Sequence, residues 1–171
     1  AKNRILWLFV LMISATFTGM IIRNYEATLS QVVALASYIP MLMGTGGNAG
    51  TQSSTMIIRS LALNEVEFKD IFLVMWKEFR VGILTAAMLA VVNFARIMIF
   101  DKVAIPVALT VCASLFCIVT IAKVIGGILP IIAKKIHLDP VIMASPIIST
   151  MLDATSLFIY FAFATSILGI A

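Results

Sequence analysis

Ile5-Leu6-Trp7-Leu8-Phe9-Val10-Leu11-Met12-Ile13 is an unbroken apolar run near the start of the chain. A transmembrane β-barrel needs segments of about ten residues that alternate apolar and polar. This run does not alternate, and neither do the apolar runs that follow it, which leaves helices. The same character holds over all 171 residues: 62% are hydrophobic and only 12% charged, with a mean hydropathy of +1.12. A water-soluble domain does not have that composition, so the solvent is a membrane.

Five apolar stretches lie between the charge clusters: 5–22, 27–63, 81–100, 103–133 and 140–171. Spanning the hydrocarbon takes about 20 largely apolar residues in a helix. The expectation is a single all-α, polytopic membrane domain over 1–171 with five transmembrane helices. Threading the stretches alternately puts Lys2, Arg4, Arg59, Lys69, Lys77, Arg80, Lys134 and Lys135 on one side and Arg23, Arg96 and Lys102 on the other. The positive-inside bias then predicts a cytoplasmic N-terminus and an outside C-terminus in the cell membrane. Lys123 falls within the fourth stretch and is expected to snorkel to the interface. The first stretch is long for a cleaved leader and no convincing small-residue cleavage site follows it, so it is expected to remain as a span.

Several features carry little chemistry. Cys112 and Cys117 lie within the fourth stretch without His or acidic neighbours, as small buried residues do. His137 stands alone in a short charged loop. The net charge of +4 follows from the positive-inside bias and calls for no nucleic acid. Residues 64–80 mix Glu65, Glu67, Lys69, Asp70, Lys77, Glu78 and Arg80 with apolar and aromatic residues. They are expected to form an interfacial amphipathic helix opened by Asn64 and Glu67, with Trp76 at the headgroup level. Such a helix serves as a connector or as a docking surface for a cytoplasmic regulator.

Polarity inside the membrane is concentrated in two places. As one helix, the second stretch would be about 55 Å long, well beyond the roughly 30 Å hydrocarbon layer, so it must tilt, break or protrude. Its centre, Pro40-Met41-Leu42-Met43-Gly44-Thr45-Gly46-Gly47-Asn48-Ala49-Gly50-Thr51-Gln52, is rich in glycine. Asn48, Gln52, Thr55 and Arg59 then follow on one helical face. Gly46 and Gly50 also make the small-xxx-small spacing of close helix packing, which is compatible with a polar pathway. In the fifth stretch Asp153 lies thirteen residues past Pro140, about 20 Å along a helix. A carboxylate at that depth costs about 2.5 to 3.5 kcal/mol and points to function. Ser145, Ser149, Asp153, Ser156 and Tyr160 form one stripe around it. A packing seam in which Asp153 pairs with Arg59 or Lys123 is the competing reading.

The ligands on offer are oxygens, with no Cys or His cluster, and these select hard cations over zinc or copper. One Asp per chain is a thin complement for a divalent ion, so two copies around a two-fold axis are expected. Magnesium keeps most of its waters, and a wide site touching the hydrated ion suits carboxylates and carbonyls.

Pro40, Gly46-Gly47-Asn48-Ala49-Gly50-Thr51-Gln52 and Arg59-Ser60-Leu61-Ala62 closely resemble the second-span signature of MgtE magnesium transporters. Asp139-Pro140, Pro146, Thr150, Asp153 and Tyr160 resemble that family's last span, and Tyr25-Glu26 and Lys77-Glu78 fit it too. The resemblance implies a homodimer in membrane lipid, five spans per subunit, and an interface pore lined by the second and fifth helices. It implies passive conduction of Mg2+, or of divalent cations more broadly, and no enzymatic activity. Asp153 would recognise the hydrated ion, with backbone oxygens near Gly44, Gly47 and Ser149, and Asn48 close by. Asp139 would hold a second ion at the cytoplasmic mouth, and Gln52, Thr55, Ser145 and Ser156 would line the pore. Members of the family also carry a cytoplasmic N-terminal domain and a CBS-domain pair that close the pore. Neither is in this sequence, so a transmembrane part separated from its regulator, or a member lacking one, is expected. A proton-coupled carrier would equally want one buried carboxylate, whereas for an intramembrane enzyme the sequence lacks a Ser and His pair at depth and an aspartyl dyad would have to be assembled between subunits.

Overall fold

In the computed structural model the backbone is described for residues 2–137 and 140–169, and side chains for residues 5, 8–137 and 147–169. The described residues are almost all helical, in the order α1 (Lys2–Asn24), α2 (Glu26–Gln31), α3 (Ala34–Ala62), α4 (Ile71–Arg96), α5 (Ile105–Lys135) and α6 (Pro140–Leu168). Among the described residues, three segments are long and apolar enough to cross a membrane: Phe68–Asp101, Ile105–Lys135 and Ile147–Leu168. The all-helical membrane architecture therefore stands.

Of the three ways to accommodate its length, the second stretch shows a break near its start. Val32 leaves the helical region at φ −135° and ψ 84°, which separates the short α2 from the 29-residue α3. Two adjacent β-branched residues mark the break, where χ1 crowding disfavours helix. Beyond it, α3 stays helical through Pro40 and the whole glycine run.

The expected amphipathic helix over 64–80 does not exist as a separate element. Asn64 turns left-handed at φ 57°, and a 3-10 turn at Phe68–Asp70 is closed by a capping box between Glu67 and Asp70. From Ile71 a single helix continues to Arg96. The cap therefore forms three residues later than Asn64, because Glu67 and Asp70 answer each other's backbone N–H groups. Trp76 is exposed and stacks on Phe79, with centroids 5.9 Å apart. A π-helical turn over Ile97–Asp101 ends α4, and Lys102 at φ 50° accepts the reversal.

α5 is the axis of the bundle, packing against α3, α4 and α6. Its apolar residues face all round, as a central helix requires. Val111, Leu115, Ile118 and Val119 join Leu35 and Leu42 of α3 and Leu157 and Phe161 of α6 in the main core. Its buried hydroxyls are satisfied one turn back: Thr110 donates to Pro106 O, Ser114 to Thr110 O and Thr120 to Phe116 O. Between chains of similar apolarity to lipid, such packing and hydrogen bonding supply the association energy. Tyr160, buried on α6, donates to the Leu35 carbonyl at 2.9 Å, and Tyr25 stacks on Phe161 at 4.2 Å. At the opposite end Lys134 donates to Leu61 O at 2.9 Å, completing the last turn of α3.

Candidate ion pathway

The glycines of α3 divide between two faces. A Cβ on Gly46 would stand 2.7 Å from Ile118 Cγ2 and 2.9 Å from Ser156 Oγ, and one on Gly50 would collide with Leu152 and stand 3.1 Å from the Ala122 carbonyl. On α5, a Cβ on Gly126 would strike the Gly50 backbone itself. These contacts fix the register: α3 runs parallel to α5 and antiparallel to α6. Gly44 and Gly47 face the other way, where an added Cβ meets nothing within 4 Å.

Asp153 follows Leu152 by one residue, just as Gly47 follows Gly46. In antiparallel helices a step of about 100° from a shared contact turns both residues to the same flank. Gly46 lies level with Ser156 and Gly50 with Leu152, so Asp153 sits at the height of the glycine run. Gly44, Asn48, Thr51 and Thr55 are exposed along this open side of α3, while Gly47, Ser149 and Asp153 are half-buried. The Thr55 hydroxyl is turned back to Thr51 O at 2.9 Å.

Among the described residues Asp153 has no hydrogen-bond or ion-pair partner. Pairing with Arg59 or Lys123 does not occur: among the described residues the ion pairs are Lys69 with Glu67 and Arg96 with Asp101. Asp139 lies outside the described residues, as does the side chain of Ser145.

Four expectations are altered by the packing. Ser156 does not line an open path. It is 2% exposed, pressed against α3 at Gly46, because the close helix approach there leaves no room. Tyr160 likewise leaves the polar stripe for the core, where its hydroxyl finds the Leu35 carbonyl. Lys123 does not snorkel. It is 5% exposed and donates to Gln52 Oε1 at 2.9 Å, since an amide acceptor across the α3–α5 contact satisfies the ammonium inside the chain. Gln52, expected to line the pore, thus directs its oxygen away from the Gly44–Gly47 side.

The burial of one charged group, placed by the sequence on an interfacial surface, is not legible there. Glu78 is 6% exposed and accepts from Ser53 Oγ at 2.6 Å. Its neighbours Lys77 and Arg80 are exposed, so the local composition reads as a solvated surface. The available signal is spacing: Val74, Glu78, Gly82 and Ala86 recur every four residues and are all buried. Small residues at that period mark a packing seam.

Among the described residues, no three His, Cys, Asp or Glu side chains gather to hold a metal ion. What α3 and α6 offer is a strip of backbone, amide and hydroxyl groups beside one carboxylate.

A family model described as a divalent cation transporter, MgtE, matches residues 39–163. The magnesium transporter MgtE of Thermus thermophilus is 36% identical over 167 residues, which cover 96% of this chain and 36% of that relative. Its counterpart in Bacillus subtilis is 39% identical over 166 residues, covering 97% and 37% respectively. That of Enterococcus faecalis is 30% identical over 165 residues, covering 96% and 36%. The chain thus spans little more than a third of the length of the curated relatives it matches.

Proposed function

The chain belongs to the MgtE divalent cation transporter family, and from that premise we propose that it conducts hydrated magnesium passively through a pore between two copies. The observation that carries the reading is Asp153: a carboxylate in a membrane helix, unpaired among the described residues, level with the open flank of α3. An ionisable group held at that depth without a counter-ion is expensive, and an ion pathway supplies the compensation that the single chain lacks. Two copies facing one another across a two-fold axis would bring two carboxylates to one site. In this reading α1, α3, α4, α5 and α6 are the five spans, with α3 and α6 lining the pore.

The oxygens on this flank suit a hard cation. Asp153 would attract the ion, and its oxygens accept hydrogen bonds from the ion's water shell. The backbone at Gly44, Gly47 and Ser149, with Asn48 and Thr55, would receive the remaining waters. Magnesium dehydrates reluctantly, so a site of outer contacts lets the ion enter and leave without stripping its ligands. Asp139 is assigned to the cytoplasmic mouth and Ser145 to the same wall. The N-terminus is cytoplasmic, the C-terminus outside, and a CBS-type regulator acts on the pore from the cytoplasm.

The test is magnesium uptake into proteoliposomes loaded with a magnesium-sensitive dye, comparing the chain with Asp153→Ala and Asp153→Asn at matched insertion. Loss of at least about tenfold in flux in both variants, the effect of removing one interaction of about 1.4 kcal/mol at the barrier, is expected. Equal flux in all three proteins would remove Asp153 from the pathway. Flux that follows an imposed pH gradient would indicate a proton-coupled carrier in place of a channel.

A further inference from the structure

Gln52 and Ser53 are adjacent on α3, and each holds a buried charged side chain from a different helix. Gln52 Oε1 accepts from Lys123 of α5 at 2.9 Å, and Ser53 Oγ donates to Glu78 of α4 at 2.6 Å. Lys123 and Glu78 are 5% and 6% exposed, in a membrane protein where each isolated charge is costly.

The two charges are neighbours without forming a direct ion pair. The Glu78 stem crosses α5 at Gly127, where a Cβ would stand 2.8 Å from Glu78 Cγ. Gly127 is four residues from Lys123, hence on the same face and about 6 Å along the axis. Gly82, one turn from Glu78 on α4, packs against Thr120 of α5, with a built Cβ 3.1 Å from Thr120 Cα. Lys123 therefore lies between the two places where α4 closes on α5. Asn48, Gln52 and Lys123 line one small cavity of about 180 Å3, with Thr45 and Thr85 in its wall. Asn48 belongs to the exposed side of α3, so the cavity runs from Lys123 towards the surface assigned to the ion, while Glu78 lies outside its wall.

We propose that Glu78 and Lys123 are positioning residues for conduction: a charge-balanced clamp, split across Gln52 and Ser53, that holds α3 in the rotation presenting Gly44, Gly47 and Asn48 to the ion. Neither group touches the ion in this scheme. A buried ion pair replaced as a whole costs little, whereas removing one partner strands the other. The clamp accordingly depends on balance more than on either charge. This inference rests on the proposed pore and specifies how its wall is held.

The experiment compares Glu78→Gln, Lys123→Met and the double variant in the proteoliposome assay, reading both magnesium flux and the ratio of magnesium to calcium flux. Each single change is expected to lower magnesium flux at least about tenfold and to shift the ratio at least about threefold, while the double change recovers both, within the coupling seen for groups in one buried network. A loss of folded channels alone would lower flux and leave the ratio unchanged, which overturns the positioning role. Should a single variant fail to insert, recovery of insertion in the double variant is the expected result, and its failure overturns charge balance. Normal flux and ratio in both single variants overturn the proposal as well. The Asp153→Ala control separates the two levels: if it loses flux while the clamp variants do not, the pore stands and the clamp falls. If the unaltered chain and Asp153→Ala conduct equally, the pore assignment has failed, and no recovery in the double variant rescues the clamp.

Discussion

Gly46 and Gly47 are neighbours in one motif and have opposite surroundings. An added methyl at Gly46 meets Ile118 and Ser156, while at Gly47 it meets nothing within 4 Å. The packed face, continued by Gly50, Ser53 and Ile57, seats α3 against its partners. The open face, with Gly44, Asn48, Thr51 and Thr55, looks away from the bundle. A glycine-rich helix here does two things at once, with close approach on one side and an uncovered polar strip on the other. The lesson is that glycine content alone does not say which positions a ligand sees.

The sharpest way to break this contrast is Gly126→Ala. Its methyl would strike the Gly50 backbone, which cannot rotate aside as a side chain can. A loss of about 3 kcal/mol or more is expected for overpacking of this kind, read as a large fall in thermal stability in detergent. Unchanged melting would mean that α3 and α5 are further apart than described. A smaller effect is expected from Tyr160→Phe, which keeps the ring and removes only the hydrogen bond to Leu35 O. Its cost is about 1 kcal/mol, measurable by the same melting experiment. The smallest change in stability belongs to Gly47→Ala, which stays within about 1 kcal/mol of the parent or stabilises it, since alanine favours helix. Its flux should fall nonetheless. Normal flux at Gly47→Ala would place the ion elsewhere.

Much of this was legible from the sequence. Non-alternating apolar runs point to helices, and the excess length of the second stretch calls for a tilt, a break or a protrusion, of which the structure shows a break at Val32. Periodicity put Asn48, Gln52, Thr55 and Arg59 on one side of α3, and all four are indeed exposed. Periodicity could not say how far that side extends. Gln52 is exposed yet bends its amide to Lys123, a choice decided by a partner 71 positions away. Ser156 and Tyr160 share a stripe with Asp153, but a helix turns enough within one stripe to bury its edge. Glu78 was masked by the charges around it, and Lys123 by an α5 that is apolar on every side. In both cases the partner is set by helix packing, which local pattern does not encode. The carboxylate itself was unmistakable, because nothing in an apolar helix explains an Asp at that depth.

The central claim is that the open face of α3, and not the packed one, borders the ion. Cysteine accessibility tests it most directly, in a background where Cys112 and Cys117 are replaced by serine and magnesium flux is retained. Thr51→Cys and Thr55→Cys should be modified by a small water-soluble thiol reagent, with flux blocked as modification proceeds and protected by high magnesium. Ser53→Cys, on the buried face, should remain unmodified and unblocked. Block at Ser53→Cys with none at Thr51→Cys or Thr55→Cys would contradict the account, because the conducting path would then run through the side that here is filled by α4, α5 and α6.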